Sequence, residues 1–373
     1  MEDNNSIGQN TDTWDNWWKD LTPEKEIQKW DFYGLRPWIM KFTPRHGKVL
    51  EAGCGLGRWV LLLSRLGINI EGLDFAKPTI DYLNDWKKDK DFDASFVVGD
   101  VTQLEHADNS LSGYLSFGVV EHFQEGPHKA LNEAHRVLRP GGVAIITTPS
   151  VSWYIPIKHG KQKLKRLVKK MLGRKVAPVT FFQYEYRPAK LAAHVNSSGL
   201  QVTQYAGCDL LYTFFEKGKH SGTNIAKDSF SDRFSRKYEK TWLKNYGAQA
   251  ITISVKVADE MHCFLCGEKE ANRDSLKSHM VPVCTSCSSH ENAAFYKKKA
   301  ATAYHHPYLF RSPIESPHTE VCAESGQRFE TDLIFEQYGF GKPVCPEYLK
   351  KPEVNIKLSN TDLQPVWRNR KEI

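Results

Sequence analysis

The chain has 373 residues, enough for two or three domains, and its 40% hydrophobic and 25% charged residues are ordinary for a globular protein. No apolar run reaches the ~20 residues needed to cross a bilayer, and the N-terminal region is polar and rich in tryptophan. We therefore expect no membrane span and no signal peptide, and a cytoplasmic location follows as the default expectation.

The net charge of +7 is unevenly distributed, because no Asp or Glu occurs from Ala134 to Tyr184. A local basic excess favours an anionic partner, which is a membrane surface, a phosphorylated substrate or a nucleic acid. Four of the eight cysteines form two Cys-x-x-Cys pairs. In a chain without a secretion signal, this pattern favours metal binding over disulfides.

Residues 1–43 are predicted to form an aromatic-rich helical cap. Its helix spans 24–43, with Pro23 at the start and Pro44 beyond the end. Five aromatic residues of the cap suit either a lid over a binding site or plain packing: Trp14, Trp17, Trp18, Tyr33 and Trp38.

Short apolar segments and helical segments alternate from Lys48 onward. Five strands are predicted at VLEAG, INIEGLD, SFVVGD, GYLSFG and VAIITT. Helices are predicted at 59–66, 78–86 and 127–138, the last ended by Pro140-Gly141-Gly142. After an insertion at 151–187 come a helix at 188–198 and the strands QVTQYA and AITISVKVA. This alternation predicts an α/β domain over 44–258, with a doubly wound, mostly parallel seven-stranded sheet.

A glycine-rich sequence, LEAGCGLGRW, joins the first predicted strand to the first helix. Gly53, Gly55 and Gly57 let the backbone turn tightly and approach a ligand at the carboxyl end of the sheet, where open α/β folds bind ligands. Arg58 stands where a dinucleotide-binding fingerprint carries its third glycine. The spacing alone is therefore only moderately specific.

Acidic residues end the next two predicted strands. Asp74 lies where an acid accepts hydrogen bonds from both ribose hydroxyls of a nucleoside. The alternative for Asp74 is capping of the helix near Pro78. Asp100, in VVGDV, is placed to accept a hydrogen bond from the exocyclic amine of an adenine.

With FGVVEHF after the fourth strand and LRPGGVAIITTP at the fifth, the stretch from Val49 to Pro149 resembles class I S-adenosylmethionine-dependent methyltransferases. The subgroup it resembles modifies quinones, sugars and other small or lipid-linked acceptors. The resemblance implies a Rossmann-like fold and S-adenosylmethionine as cofactor. It implies that the cofactor is bound by Glu51, Gly53, Gly55, Asp74, Phe75, Asp100, Val101, Phe117 and Gly118.

The implied reaction moves a methyl group from S-adenosylmethionine to a small-molecule, sugar or lipid-linked acceptor by in-line displacement, mainly through alignment of donor and acceptor. His122 is the candidate general base for a hydroxyl or ammonium acceptor. Its alternatives are packing against the cofactor and hydrogen bonding to backbone. Glu121 is interpreted as structural.

Two other functions compete with this one. A nucleic-acid-directed protein is the first, but residues 259–290 hold only three Lys or Arg, and an Asn-Pro-Pro-Tyr type motif is absent. A catalytically inactive fold retained for interactions is the second, and the intact glycines and acids argue against it.

The tail, residues 259–373, begins with a zinc-ribbon pattern. Seventeen residues separate the pair Cys263 and Cys266 from the pair Cys284 and Cys287, a spacing typical of a tetrahedral thiolate site for structural zinc. A redox site would need one such pair at a strand–helix junction. We interpret the nearby histidines as surface or supporting residues: His262, His279 and His290. Because the tail lies outside the predicted sheet, we expect chelation to unfold 261–290 and to leave cofactor binding largely intact.

A second, decayed ribbon is a further hypothesis for the tail. CAESGQ at 322–327 resembles CFLCGE at 263–268, and CPEY at 345–348 resembles CTSC at 284–287. Cys322 and Cys345 are kept, whereas Ser325 and Tyr348 replace their partners. The alternative is two unrelated free cysteines.

The insertion contains a predicted basic amphipathic helix. Its apolar stripe consists of Leu164, Leu167, Val168, Met171 and Leu172. Nine basic residues surround the stripe: Lys158, Lys161, Lys163, Lys165, Arg166, Lys169, Lys170, Arg174 and Lys175. We hypothesise that this helix docks on an anionic membrane, which would place the enzyme peripherally on the inner face. The alternative is that the stripe packs on the domain and the lysines are only solvated.

Overall fold

The computed structural model describes most of the chain up to residue 298 and short segments beyond it. The described residues are 14, 18, 21–28, 35–65, 67–88, 90, 93–151, 154–175, 181–208, 245–289, 293, 296–298, 308–310, 318–321, 326–331 and 335–337.

Within the single helix that the sequence predicts at 24–43, the described residues of the cap form two short helical segments. Helix α1 spans Pro23–Gln28 and α2 spans Arg36–Phe42. Pro37 lies in the first turn of α2, where its missing N–H has no intrahelical partner to lose. Residues 29–34 lie outside the described residues, so the structure places helix only at the two ends of the predicted segment.

A seven-stranded sheet forms the centre of the molecule and confirms the predicted fold class. Its strands are β1 (Val49–Ala52), β2 (Ile70–Asp74), β3 (Ser95–Val98), β4 (Leu111–Phe117), β5 (Leu138–Pro149), β6 (Leu200–Cys208) and β7 (Gln249–Lys256). They are ordered β3-β2-β1-β4-β5-β7-β6. The first five run parallel, whereas β7 is antiparallel to both β5 and β6. The carboxyl ends of β1 to β5 therefore meet at one edge.

Strand β5 begins earlier than the sequence predicts. Pro140-Gly141-Gly142 is expected to separate a helix from a strand, but these residues lie within β5. The strand pairs with β4 at Leu138, and the register shifts before pairing resumes at Val143. The extra residues of β5 form a bulge at the start of the strand. Gly141, with its positive φ, allows the backbone conformation of this bulge.

Helices cover both faces of the sheet. They are α3 (Arg58–Arg65), α4 (Lys77–Trp86), α5 (His128–Val137) and, after the insertion helix α6 (Tyr154–Met171), α7 (Pro188–Ser197). Successive residues of a strand point to opposite faces, so Val49 packs in a core with α2 to α4 and Leu50 in a core with α5 and α7. Burial on both faces explains the apolar run at the carboxyl half of the central strand β5, where residues 143–148 are all buried.

The tail begins directly after β7 and packs against the sheet domain. Its described elements include β8 (Glu260–Met261), β9 (Ala271–Asn272), α8 (Ser275–Ser278) and α9 (Thr285–Ser288). Beyond them lie four short strands, β10 (Tyr308–Phe310), β11 (His318–Val321), β12 (Arg328–Thr331) and β13 (Phe335–Gln337). Met261, Phe264 and Leu265 belong to the same hydrophobic core as Trp38 and Ile39. The composition changes at residue 259, but the core continues across it.

Candidate cofactor and metal sites

A cleft of about 1340 Å³ lies at the carboxyl ends of β1 to β4. Ligand pockets commonly occupy about 300–1,000 Å³, so this cleft has room for a nucleoside cofactor and part of an acceptor. All nine predicted cofactor residues line it, and so does His122: Glu51, Gly53, Gly55, Asp74, Phe75, Asp100, Val101, Phe117 and Gly118. The structure therefore brings together residues that are up to 71 positions apart in the sequence.

The loop after β1 requires glycine at its turns. Gly53 has φ +81°, and a Cβ there would lie 2.3 Å from Val119 Cγ2. Gly55 has φ +51°, and a Cβ there would lie 2.7 Å from Trp18 Cζ2. Both positions combine a left-handed backbone with close approach of a side chain, so any larger residue would be strained. The loop consequently presents bare backbone to the cleft.

Asp74 ends β2 beneath this loop and is buried. Its Oδ2 accepts a hydrogen bond from the Gly55 amide at 2.8 Å, and its Oδ1 accepts one from the Ala76 amide at 3.0 Å. Ala76 is the residue that precedes helix α4, so the carboxylate also supports the entry of that helix. Asp74 also lines the cleft. Ribose binding by Asp74 stays a prediction.

Glu51 lies one strand away and is held by the first turn of α3. Its Oε2 accepts a hydrogen bond from the Val60 amide at 3.1 Å. Burial raises the pKa of Glu51 to about 8, although the Arg58 guanidinium opposes the shift. A cationic ligand group beside Glu51 would favour its ionised form.

Asp100 and Phe75 lie at the rim of the cleft and are exposed. Asp100 Oδ1 accepts hydrogen bonds from the amide and the hydroxyl of Thr102, both at 2.8 Å. These bonds close a tight turn that leaves the neighbouring Val101 buried. Adenine contact at this rim stays a prediction.

The N-terminal cap supplies cleft residues that the sequence analysis did not single out. Glu26 of α1 lines the cleft and forms an ion pair with Arg58, the residue that follows the last glycine of the loop. Trp14 and Trp18 also line the cleft, as the lid interpretation predicts, whereas Trp38 is buried in the core and packs on Phe42. The other two aromatic residues of the cap, Trp17 and Tyr33, lie outside the described residues. No local motif marks Glu26 as part of a binding site, because its place at the cleft depends on the fold of the cap.

His122 follows β4 in a short 3₁₀ turn and is buried. Its Nδ1 donates a hydrogen bond to the Phe182 carbonyl at 2.9 Å, and Trp14 lies edge-on with ring centroids 4.9 Å apart. Burial lowers the pKa of His122, while the carbonyl groups of Phe182 and Gly118 oppose the shift. The imidazole is therefore neutral near pH 7. The hydrogen bond to a backbone carbonyl agrees with the alternative that His122 has a structural role and is not a general base.

Glu121 is buried beside His122, and its Oε1 lies 3.9 Å from His122 Nε2. Among the described residues, Oε2 has no hydrogen-bond partner. Burial raises the pKa of Glu121 to about 8. A carboxyl group in this setting is held mainly in its neutral form at pH 7.

The Glu121→Gln variant is expected to gain stability relative to the wild type as the pH rises from 7 to 9. The folded-state pKa of Glu121 lies above the unfolded value of 4.5, so its favourable contribution is complete below pH 4.5 and is lost as the pH rises through about 8. The relative gain is about 1.4 kcal/mol. Urea unfolding at several pH values measures it, with the exposed Glu125→Gln as the control. Parallel stability curves for wild type and Glu121→Gln would contradict the assignment.

The four cysteines of the predicted ribbon converge. The Sγ atoms of Cys263, Cys266, Cys284 and Cys287 all lie within 4.8 Å of one another, and those of Cys266 and Cys284 are 3.8 Å apart. A tetrahedron of sulfurs about 2.3 Å from a zinc ion has edges of about 3.8 Å. The amide of Cys284 donates to Cys263 Sγ at 3.3 Å, an arrangement that stabilises thiolate charge. These residues fit a closed, structural zinc site.

The histidines near this cluster make other contacts. His262 Nδ1 donates to the Gly267 carbonyl at 3.0 Å, and His279 Nδ1 lies 2.9 Å from the Ser278 hydroxyl. His290 lies outside the described residues, as do Cys322 and Cys345.

The segment proposed as a decayed ribbon shares a backbone feature with the first ribbon. Gly326 has φ +70° and lies between the paired strands β11 and β12. Gly267 has φ +84° and lies between the paired strands β8 and β9. The decayed-ribbon hypothesis itself stays a prediction, because its cysteines lie outside the described residues.

Comparison with known proteins agrees with this geometry. The Methyltransferase domain family matches residues 50–146. A Mycolicibacterium smegmatis protein described as a probable S-adenosylmethionine-dependent methyltransferase is 27% identical over 159 residues, which cover 43% of this chain and 54% of the relative. The malonyl-[acyl-carrier protein] O-methyltransferase of Pectobacterium atrosepticum is 29% identical over 112 residues, which cover 30% of this chain and 42% of the relative. The matches thus span about half the length of these curated relatives.

Among solved structures, similarity extends to a Haloferax volcanii complex between the Trm112 methyltransferase activator and a methyltransferase. The TM-score is 0.45 at 19% identity, and the match covers 66% of this chain and 98% of that chain. The family match over 50–146 coincides with β1 to β5 and with the cleft at their carboxyl ends. Over residues 50–146, the chain is therefore similar to the methyltransferase domain family.

Proposed function

We propose that the chain transfers a methyl group from S-adenosylmethionine to a small-molecule, sugar or lipid-linked acceptor by in-line displacement. The observation that carries the proposal is the convergence of all nine predicted cofactor residues on one cleft. S-adenosylmethionine supplies an electrophilic methyl group on a sulfonium, whose thioether is a good leaving group. The chain's own task is then to bind, align and exclude water.

Alignment is the main contribution of the protein in this proposal. The glycine loop offers backbone to the cofactor, Asp74 offers carboxylate oxygens to its ribose, and Trp14 and Trp18 close the cleft from the cap. Holding two reactants in the right geometry can supply about 7–11 kcal/mol of the barrier reduction. For a hydroxyl or ammonium acceptor, His122 is the proposed general base, and its hydrogen bond to the Phe182 carbonyl orients the ring.

Zinc has a structural role in the proposal. Four thiolates complete its coordination shell, so no position is open for a substrate. A nucleic-acid-directed function is the alternative that uses the ribbon and the basic insertion. The ribbon offers little positive charge for it, since residues 259–290 contain only three Lys or Arg: Lys269, Arg273 and Lys277.

The proposal is tested by isothermal calorimetry with S-adenosylhomocysteine on the purified full chain. We expect saturable binding with one site per chain, because one cleft holds all the predicted contacts. A tritiated-methyl incorporation assay on cell fractions then identifies the acceptor class. Absence of S-adenosylhomocysteine binding, or tighter binding of a nicotinamide dinucleotide, would contradict the proposed function.

A further inference from the structure

The described part of helix α6 exposes its side chains to solvent. Every described side chain from residue 160 to 175 is exposed except that of Arg166, which is half-buried. The alternative that the apolar stripe packs on the domain is therefore wrong. The exposed fractions of the stripe are 61% for Leu164, 57% for Leu167, 45% for Val168, 78% for Met171 and 64% for Leu172. An exposed contiguous apolar stripe of this kind marks an interaction surface.

The charges around the stripe select the chemistry of its partner. Lys165 and Lys170 flank the stripe on opposite sides, with Lys169 further round the helix. No Asp or Glu occurs between Ala134 and Tyr184 to offset this charge. Within the part of the chain that the structure describes, no carboxylate pairs with these lysines. The helix thus combines an apolar stripe with an uncompensated positive rim, which complements an anionic surface that has an apolar layer beneath it.

Hydrogen bonds join the two ends of the insertion to each other and join its returning end to His122 of the cleft. On the entering side, the carbonyl of Pro149, the last residue of β5, accepts a hydrogen bond from the Tyr186 amide at 3.0 Å. On the returning side, Phe182 accepts from His122, and the Tyr184 amide donates to the Glu121 carbonyl at 2.9 Å. Only four residues separate the end of β5 from the start of α6. A surface that binds α6 is consequently tethered, through the segment that contains Phe182, to His122 of the cleft.

We propose that α6 docks the protein on an anionic phospholipid bilayer, with its apolar stripe in the interface and its lysines at the headgroups. None of the helices in the described part of the chain has the length and apolar character to span a membrane. An amphipathic helix instead lies in the interface plane, and its binding depends on both apolar area and anionic lipid. This inference rests on the proposed methyl transfer, for which docking brings the cleft to a lipid-linked acceptor.

The test is co-sedimentation of the full chain with vesicles. We expect binding at low salt to vesicles of equal parts phosphatidylglycerol and phosphatidylcholine, and much weaker binding to pure phosphatidylcholine. Neutralising Lys161, Lys165, Lys169 and Lys170 to Gln should weaken binding about 100-fold or more, since each basic residue near an anionic leaflet contributes substantially. Arg166 is left unchanged because it is half-buried.

A matched control neutralises four exposed lysines elsewhere: Lys77, Lys88, Lys269 and Lys277, all to Gln. This control loses the same charge and is expected to bind vesicles nearly as the wild type does. A second variant, Leu167→Gln with Met171→Gln, keeps the charge and a good helix former while removing two apolar side chains from the stripe. It should lose vesicle binding at least about tenfold, because the transfer of those side chains out of water no longer favours the bound state.

The outcomes separate this proposal from its rivals. Failure of the wild type to sediment at low salt would overturn docking. Equal vesicle binding by the wild type and the Leu167→Gln, Met171→Gln variant would also overturn docking. Binding would then depend on charge alone, which would indicate a soluble polyanion such as RNA as the partner. Calorimetry with S-adenosylhomocysteine on the same variants gives an independent readout, because none of the substituted residues lines the cleft. Loss of vesicle binding with retained cofactor binding leaves the proposed function standing.

Discussion

Replacing Cys284 with serine is expected to destabilise the whole chain and to weaken S-adenosylhomocysteine binding. The substitution removes one of four converging thiolates and so disrupts the proposed zinc site. Structural zinc binding contributes about 10–16 kcal/mol in isolated zinc peptides, whereas whole domains have about 5–15 kcal/mol of stability. Loss of even a fraction of that energy should lower the Tm by on the order of 10 °C.

The structure predicts a global effect because the ribbon is built into the sheet domain. The His262 amide donates to the Pro140 carbonyl at 3.0 Å, and His46 Nε2 donates to the Leu265 carbonyl at 2.9 Å. The Tyr296 hydroxyl donates to the Lys41 carbonyl at 3.0 Å, within α2. Our expectation from sequence, that chelation would leave cofactor binding intact, assumed an independent tail. The shared core instead couples the metal site to the cap and to β5.

Elemental analysis and differential scanning calorimetry check this prediction. We expect about one zinc per chain in the wild type and a single unfolding transition that moves to lower temperature in Cys284→Ser. A separate low-temperature transition with unchanged cofactor binding would show that the tail folds alone. Two zinc ions per chain would contradict the decayed-ribbon hypothesis for Cys322 and Cys345.

Gly141→Ala tests the coupling without touching the cysteines. Gly141 has φ +83°, and a Cβ there would lie 2.4 Å from the His262 carbonyl oxygen, in the backbone of the ribbon. The variant should lose stability while it still binds zinc. Gly160→Ala is the control, because no atom lies within 4 Å of its Cβ position and alanine favours helix by about 1 kcal/mol.

Asp74→Ala is expected to weaken S-adenosylhomocysteine binding at least about tenfold. A hydrogen bond to a charged group contributes roughly 1.5–3 kcal/mol, and the predicted ribose contacts would be lost. The structure adds a second cost, because the amides of Gly55 and Ala76 lose their acceptors and the glycine loop loses its support. Calorimetry below the Tm of the variant measures the binding.

Two further variants test whether the loss of cofactor binding comes from the Asp74 carboxylate itself. Asp74→Asn keeps one acceptor oxygen at nearly the same size, so it should retain more stability than Asp74→Ala and still bind the cofactor less tightly. Asp81→Ala removes an exposed acid from the helix that follows Asp74, where it pairs with Lys77, and should leave binding unchanged. Equal binding by wild type and both Asp74 variants would remove Asp74 from the cofactor site.

Local patterns were sufficient for the sheet and for much of the candidate site. The alternation of short strand segments with helical segments predicted all seven strands. Glycine spacing and strand-end acids predicted residues that line one cleft, since parallel strands bring their carboxyl ends to one edge. The Cys-x-x-Cys spacing likewise predicted the thiolate cluster.

Contacts between distant segments were decided only by tertiary structure. The pairing of Glu26 with Arg58 and the position of Trp18 over Gly55 depend on how the cap folds back across the loop, which no local pattern encodes. The same holds for the ribbon, whose composition indicated a separate unit although its apolar residues complete the core beside α2. The stripe of α6 was visible in the sequence, but its exposure was not, because periodicity shows which residues share a helix face and only packing determines what covers that face.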